Sequence, residues 1–125
     1  MAIAFIQKVA AQTTVTAALI TTGSITTTVG DAIIVQVSQG ISATNPTSVT
    51  DNKGNTYNLD KALGDTTNGN FATNVAIYSN LSIATGGAGH TFTANKTGGG
   101  VGISISVMEY SHNGTMVLST TGSAN

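Results

Sequence analysis

Hydrophobic and polar residues alternate along much of this chain with a period of two, the spacing of a strand with one buried face. The segment Val101–Tyr110 shows this most clearly, because Ile103, Ile105 and Val107 share one face and serines share the other. The apolar run Ala32–Ser38 indicates a central strand. About ten strands are predicted in this way: Ile3–Val9, Val15–Ile20, Ser24–Val29, Ala32–Ser38, Ser48–Asp51, Thr56–Leu59, Asn74–Leu81, His90–Ala94, Val101–Tyr110 and Thr115–Ser119.

Glycine and asparagine separate these strands, and they supply the positive φ that tight hairpins require. Gly30-Asp31, Asn45-Pro46, Gly98–Gly100 and Asn113-Gly114 are examples. The pattern predicts no helix, no linker and no internal repeat. Residues 1–125 are therefore expected to form one all-β domain, an antiparallel two-sheet sandwich of about ten short strands, with an Ig-like and a jelly-roll arrangement both open.

Charge is scarce in this chain. Only 7% of the residues are charged, against about 25% in an ordinary soluble domain. The formal net charge is −1, there is no cysteine and there are 2 histidines. The lysines are scattered, which disfavours nucleic acid as a partner, and no apolar run reaches the length of a membrane span. We expect no nucleic acid, no membrane, no cofactor and no enzymatic activity. The few charges are expected to lie mostly at turns and the strands to be neutral, with Glu109 as the clear exception.

The first nine residues are mostly apolar. They lack the basic start of a secretory signal, and Lys8 interrupts the apolar run that such a signal needs. Ile3, Phe5 and Ile6 instead predict that residues 1–9 form an N-terminal arm or an edge strand that docks on a neighbouring subunit.

Asp51, Asn52 and Asn55 place several oxygen ligands close together in the sequence. A Ca²⁺ site needs about 6–8 oxygens. This segment lacks the alternating ligands and the closing glutamate of a full calcium loop. A hairpin turn whose side chains bond nearby backbone amides is therefore the preferred interpretation, and calcium is the alternative.

Glu109 falls on the buried face of its predicted strand. It is either a structural carboxylate that accepts hydrogen bonds from backbone amides or a lysine, or a catalytic acid with a raised pKa. No second acidic residue lies near it in the sequence, and glycosidic chemistry needs two. We therefore predict the structural role. His90 and His112 have no partner at metal-ligand spacing and are predicted to be surface or edge residues.

The order of five motifs is distinctive: GDAIIV at Gly30–Val35, SVTDNKGNTY at Ser48–Tyr57, VAIY at Val75–Tyr78, HTFT at His90–Thr93 and ISVMEYS at Ile105–Ser111. In this order they resemble a β-sandwich module found in structural proteins of phage particles and in bacterial extracellular proteins. The resemblance spans roughly residues 30 to 111. It implies a structural or adhesive role, and it carries over no catalytic residue.

These observations lead to one hypothesis and two alternatives. The first is a phage virion protein, either a capsid decoration (cement) subunit or a small tail or fibre component, in contact with copies of itself and with other structural proteins. The second is a subunit of a bacterial extracellular filament or an adhesin at the cell surface. The third is a carbohydrate-binding module for host surface glycans. That module would need an aromatic platform or a calcium loop. Tyr57, Tyr78 and Tyr110 are instead expected to pack in the core with their hydroxyls at the rim.

Overall fold

A computed structural model describes residues 1–40, 48–64, 73–96 and 102–119 of the chain. Within these ranges the protein is all-β, with ten strands and no helix. The same ranges accordingly contain no helix long and apolar enough to cross a membrane. The strands are β1 (Ile3–Thr13), β2 (Leu19–Thr21), β3 (Ile25–Thr27), β4 (Ala32–Gly40), β5 (Ser48–Asp51), β6 (Asn58–Gly64), β7 (Thr73–Asn80), β8 (Gly87–His90), β9 (Phe92–Asn95) and β10 (Ile103–His112).

The strands form three antiparallel sheets. Five strands make the large sheet in the order β1-β10-β4-β7-β6, and the smaller sheets are β2-β9-β5 and β3-β8. Strands β4 and β10, which the sequence pattern predicts most clearly, lie next to each other within the large sheet. The predicted all-β, sandwich-like class is confirmed.

One hydrophobic core joins the sheets. Val35 on β4 and Ile105 and Val107 on β10 project from the large sheet, and Phe92 on β9 projects from a smaller one. All four are almost completely buried. Burying each such side chain contributes about 1.5–3 kcal/mol, so the alternation read from the sequence also supplies the main packing energy. We call this side of the large sheet its inner face and the opposite side its outer face.

Most strands have bounds that differ from those predicted, and β2 and β6 are shifted along the chain. Strand β2 covers Leu19–Thr21 instead of Val15–Ile20, because three of its residues find partners on β9. Strand β6 covers Asn58–Gly64 instead of Thr56–Leu59. The chain before it is held in a turn, where the hydroxyl of Tyr57 and two groups of Asn55 bond back to the Asp51 carboxylate.

The predicted strand His90–Ala94 is divided. Strand β8 ends at His90 and β9 begins at Phe92. Between them, the Thr91 amide donates to the Asn52 side chain, and the Thr91 carbonyl accepts from the Asn52 amide. The Asn52 contact therefore takes both backbone groups of Thr91 out of regular strand pairing, and it ties this point to the turn after β5.

A tenth predicted strand, Thr115–Ser119, does not form; these residues are described and have no strand conformation. Strand propensity alone does not make a strand where no partner strand is in register. The predicted turns at Asn45-Pro46 and Gly98–Gly100 lie outside the described residues, as does Val101, the first residue of a predicted strand.

The expectation that charges other than Glu109 lie at turns is wrong for two strands. Lys8 lies within β1, and Asp60 and Lys61 lie within β6. Strands β1 and β6 are the two edges of the large sheet. Charges at sheet edges discourage unwanted strand pairing, which gives these three residues a structural reason to be where they are.

Candidate functional site

Strand β1 is an open edge of the large sheet. Ten of its eleven residues pair with β10 on one side, and no described strand pairs with the other side. The predicted N-terminal arm or edge strand is thus an edge strand within the sheet, longer than the predicted nine residues. Ile3, Phe5 and Ile6 are 51%, 56% and 48% exposed. The register with β10 shifts between Phe5 and Gln7, which makes Ile6 the extra residue of a bulge.

An apolar patch extends from β1 across the outer face. Phe5 lies opposite Tyr110, and their rings meet edge to face with centroids 5.7 Å apart. On the same face, Met108 lies opposite Ile34 on β4. Aromatic residues and methionine are enriched where proteins meet. We call this group the outer patch; its residues are Ile3, Phe5, Ile34, Met108 and Tyr110.

Beyond Lys8, the residues of β1 on the outer face are uncharged. A shallow depression of about 370 Å³ lies between β1 and β10. Its lining residues are small or neutral: Ala10, Ala11, Gln12, Ser104 and Ser106. Sugars in protein sites commonly stack on aromatic rings, and the lining of this depression contains none. The depression is thus formed by small and neutral side chains.

The carboxylate of Asp51, the last residue of β5, accepts five hydrogen bonds. Oδ1 accepts the amides of Lys53 and Asn55, at 2.9 and 3.0 Å. Oδ2 accepts the Asn55 side-chain amide, the Tyr57 hydroxyl and His90 Nε2, at 2.7 to 2.8 Å. Burial opposes ionisation of this carboxyl group, but the bonds from Asn55, Tyr57 and His90 outweigh it and lower the pKa of Asp51 to about 2.

His90 is buried, so its predicted surface or edge position is wrong. Its side chain is 0% exposed and lies between Asp51 and the Thr27 hydroxyl, which is 2.7 Å from Nδ1. Since an ionised carboxylate can only accept, Nε2 carries the proton that bonds Asp51. The ring also stacks on Phe92 with centroids 4.3 Å apart. Both ring nitrogens have hydrogen-bond partners and one ring face packs on Phe92, which makes this histidine stable in the core.

Thr27, His90 and Asp51 follow one another like the hydroxyl, imidazole and carboxylate of a hydrolytic triad. Thr27 is 3% exposed, however. Gly86 packs so closely against it that a Cβ there would be 2.8 Å from the Thr27 carbonyl oxygen. A nucleophile must reach its substrate. This arrangement therefore joins β3, β5 and β8 and has no access for a substrate.

The candidate calcium ligands Asn52 and Asn55 face N–H donors. The Asn55 side-chain oxygen accepts the amides of Ala84 and Thr85, and that of Asn52 accepts the amide of Thr91. Within the described residues no group of three histidine or acidic side chains converges on one point. The geometry is that of a turn fastened to the loops beside it, as the preferred interpretation has it.

Glu109 is 1% exposed and accepts hydrogen bonds from the Thr28 amide and from the Gln7 side chain. Asp31 lies close to it, and sequence reasoning missed this neighbour. Burial and the charge of Glu109 both raise the pKa of Asp31, while His112 lowers it. The two carboxyl groups are 78 positions apart (109 − 31), and nothing in either local pattern points to the other. Glu109 of this pair is buried and inaccessible to solvent.

The tyrosines do not form a platform. Tyr57 packs edge-on against Phe92 and its hydroxyl bonds Asp51 inside the molecule, which differs from the predicted rim position. Burial and the Asp51 carboxylate raise the pKa of Tyr57 far above its usual range. Tyr78 is 2% exposed, and burial raises its pKa too. Tyr110 belongs to the outer patch.

No protein-family model, curated protein or solved structure matches this chain. The interpretation of the site therefore depends on the described residues themselves. Their polar groups Asp51, His90 and Glu109 are bonded inside the fold. Exposed apolar side chains lie on β1 beside the outer patch, and also on β6 and β7, at Leu59, Leu63 and Ile77.

Proposed function

We propose that this protein is a structural subunit that works by contact with copies of itself and with other proteins of a particle. The observation that carries the proposal is the outer patch beside the open edge of β1. Phe5 and Ile3 are about half exposed there, although a more complete burial would stabilise the isolated chain. Apolar side chains in this position gain their stabilisation from a second protein.

The scarcity of charge supports the same proposal. A chain with a net charge of −1 repels its copies weakly. In repeated symmetric contacts, like charges meet like charges, and each such meeting is unfavourable. Lys8 is the one charged residue that borders the outer patch on β1. A nearly neutral surface therefore permits many copies to pack closely.

A phage particle is the setting that the resemblance implies, with the chain as a decoration subunit or a small tail or fibre component. A bacterial extracellular filament or adhesin uses the same kind of contacts and is the alternative. The two settings predict different assemblies: a discrete closed oligomer such as a trimer suits decoration, and an open polymer suits a filament.

Sedimentation velocity of the purified protein tests the proposal. We expect association between about 1 µM and about 100 µM, the range of moderate protein affinities. A monomer throughout this range that also fails to bind purified particles would overturn the proposal, and glycan-array binding by such a monomer would favour the carbohydrate-binding alternative.

A pair of variants tests whether the outer patch is responsible. Phe5→Ser removes an exposed ring at the patch, and we expect it to weaken association at least about tenfold. Val29→Ser is the control, because Val29 is exposed to a similar degree, 63%, but lies in the turn before β4. Equal association of the two variants would contradict a role for the outer patch.

A further inference from the structure

The direction of the strands restricts how a second copy can extend the large sheet. Each neighbouring pair in this sheet is antiparallel, so its two edges, β1 and β6, run in the same direction. A copy added by translation would place β6 beside β1 as a parallel pair. A copy related by a twofold axis normal to the sheet would place β1 beside β1 as an antiparallel pair. Parallel sheets occur with both faces covered, and this outer face is open, so the twofold arrangement is favoured.

The two edges also differ in chemistry. Strand β6 carries Asp60 and Lys61, and its register shifts between Leu59 and Lys61. Charges and bulges are the devices that block pairing at an edge. In β1, the segment Val9–Thr13 is uncharged and pairs with β10 without a shift. Although β1 has a lysine at Lys8 and a bulge at Ile6, its segment Val9–Thr13 beyond them is therefore the part of the two edges that is open to a partner.

The position of Lys8 restricts which residues of two β1 strands can lie opposite each other. If β1 paired with its copy about Lys8, two lysines would lie directly opposite each other, which is unfavourable. If the axis passes through Ala11, Val9 lies opposite Thr13 of the second copy and Ala10 lies opposite its Gln12. Val9 and Ala11 pack against the core but stay partly exposed in the single chain. A second copy covers them.

We propose that two copies of this chain dock through Val9–Thr13, antiparallel about a twofold axis at Ala11, so that two five-stranded sheets become one of ten strands. The inference rests on the proposed function and names a second copy as the first partner. The outer patches of both copies lie on the outer face of the joined sheet, where they can bind further copies or other proteins, so Phe5→Ser acts on this second contact and not on the β1 pair.

Disulfide cross-linking tests this register, because the chain has no cysteine and each introduced one is unique. Ala10→Cys and Gln12→Cys lie on the exposed outer face, where substitution leaves the core intact. A disulfide requires Cα atoms about 4.4–6.8 Å apart. In an equimolar mixture under mild oxidation, we expect the mixed dimer to exceed either self-linked dimer by at least about fivefold.

Leu63→Cys on the other edge is the matched control, and it should not link to itself or to the β1 variants above background. Cross-linking through Leu63→Cys, or association in sedimentation without any link at β1, would overturn the β1 dimer while the proposed function stands. A protein that is monomeric at all concentrations and does not bind particles would overturn both the β1 dimer and the proposed function. Circular dichroism of each reduced variant confirms that it is folded before oxidation.

Discussion

Through its five hydrogen bonds, the side chain of Asp51 holds together groups from its own turn and from β8. Its partners Lys53, Asn55 and Tyr57 belong to its own turn, and His90 belongs to β8. Removing the charge leaves these donors without their acceptor, and each unsatisfied buried donor lowers the free energy of unfolding. The residue therefore stabilises the turn and its attachment to β8 together.

We expect Asp51→Asn to reduce the free energy of unfolding by about 2–4 kcal/mol, since the amide replaces an acceptor with a donor that faces other donors. Urea unfolding measures this loss. Asp60→Asn is the control, because it makes the same chemical change on β6, and its effect should stay within about 0.5 kcal/mol. Equal losses in the two variants would contradict the role assigned to Asp51.

Because the pKa of Asp51 is low, the stability that this network contributes depends on pH. Its pKa is about 2 in the folded protein, below the value near 3.9 of an unfolded chain. The folded state therefore favours the ionised form, and this contribution is complete above about pH 4 and is lost as the pH falls toward 2. Asp51→Asn should flatten the pH dependence of stability in that window.

At the scale of elements, the close approach of β3 and β8 depends on Gly86. A Cβ at this position would lie 2.8 Å from the Thr27 carbonyl oxygen and 3.1 Å from its hydroxyl. The clash is with backbone, which cannot move aside like a flexible side chain. Thr27 in turn positions His90 by hydrogen bonding, so a displaced β3 also weakens the polar cluster.

We expect Gly86→Ala to destabilise the protein by about 1–3 kcal/mol through this overpacking. Gly23→Ala is the matched control, because a Cβ at Gly23 would meet no atom within 4 Å. Thermal and urea unfolding of the two variants should differ clearly. A loss in Gly23→Ala as large as that in Gly86→Ala would show that the glycine backbone, and not the contact with Thr27, matters.

Some features of the strands follow from the local sequence, and others depend on residues far away in the chain. Strand β5 has the predicted bounds, Ser48–Asp51, and β10 follows the predicted alternation, because one buried face dictates both patterns. The division of β8 from β9 depends on Asn52, which is 39 residues away from Thr91 in the chain. The burial of His90 depends on Asp51 at the same separation. Local periodicity contains neither contact, so sequence reasoning placed His90 at the surface.

Over the whole molecule, apolar exposure and charge are arranged around the large sheet. Edge β6 carries Asp60, Lys61 and a bulge, whereas β1 carries one lysine, a bulge at Ile6 and the uncharged segment Val9–Thr13 with the outer patch beside it. The polar cluster of Asp51 and His90 is buried. In the proposed assembly β6 is the protected edge, β1 makes the contact, and the polar cluster takes no part in it.

This arrangement predicts how self-association responds to salt. The contacts proposed for the Val9–Thr13 backbone and the outer patch are uncharged, and the chain has a net charge of −1. Raising NaCl from about 0.05 M to about 0.5 M screens charges strongly but leaves apolar and backbone contacts intact. We expect the dissociation constant from sedimentation to change by less than about threefold, or to fall slightly. Lys8→Gln should behave like the native chain over this range. A weakening of about tenfold or more at high salt would show that opposite charges hold the copies together, and it would contradict an interface at the neutral part of β1.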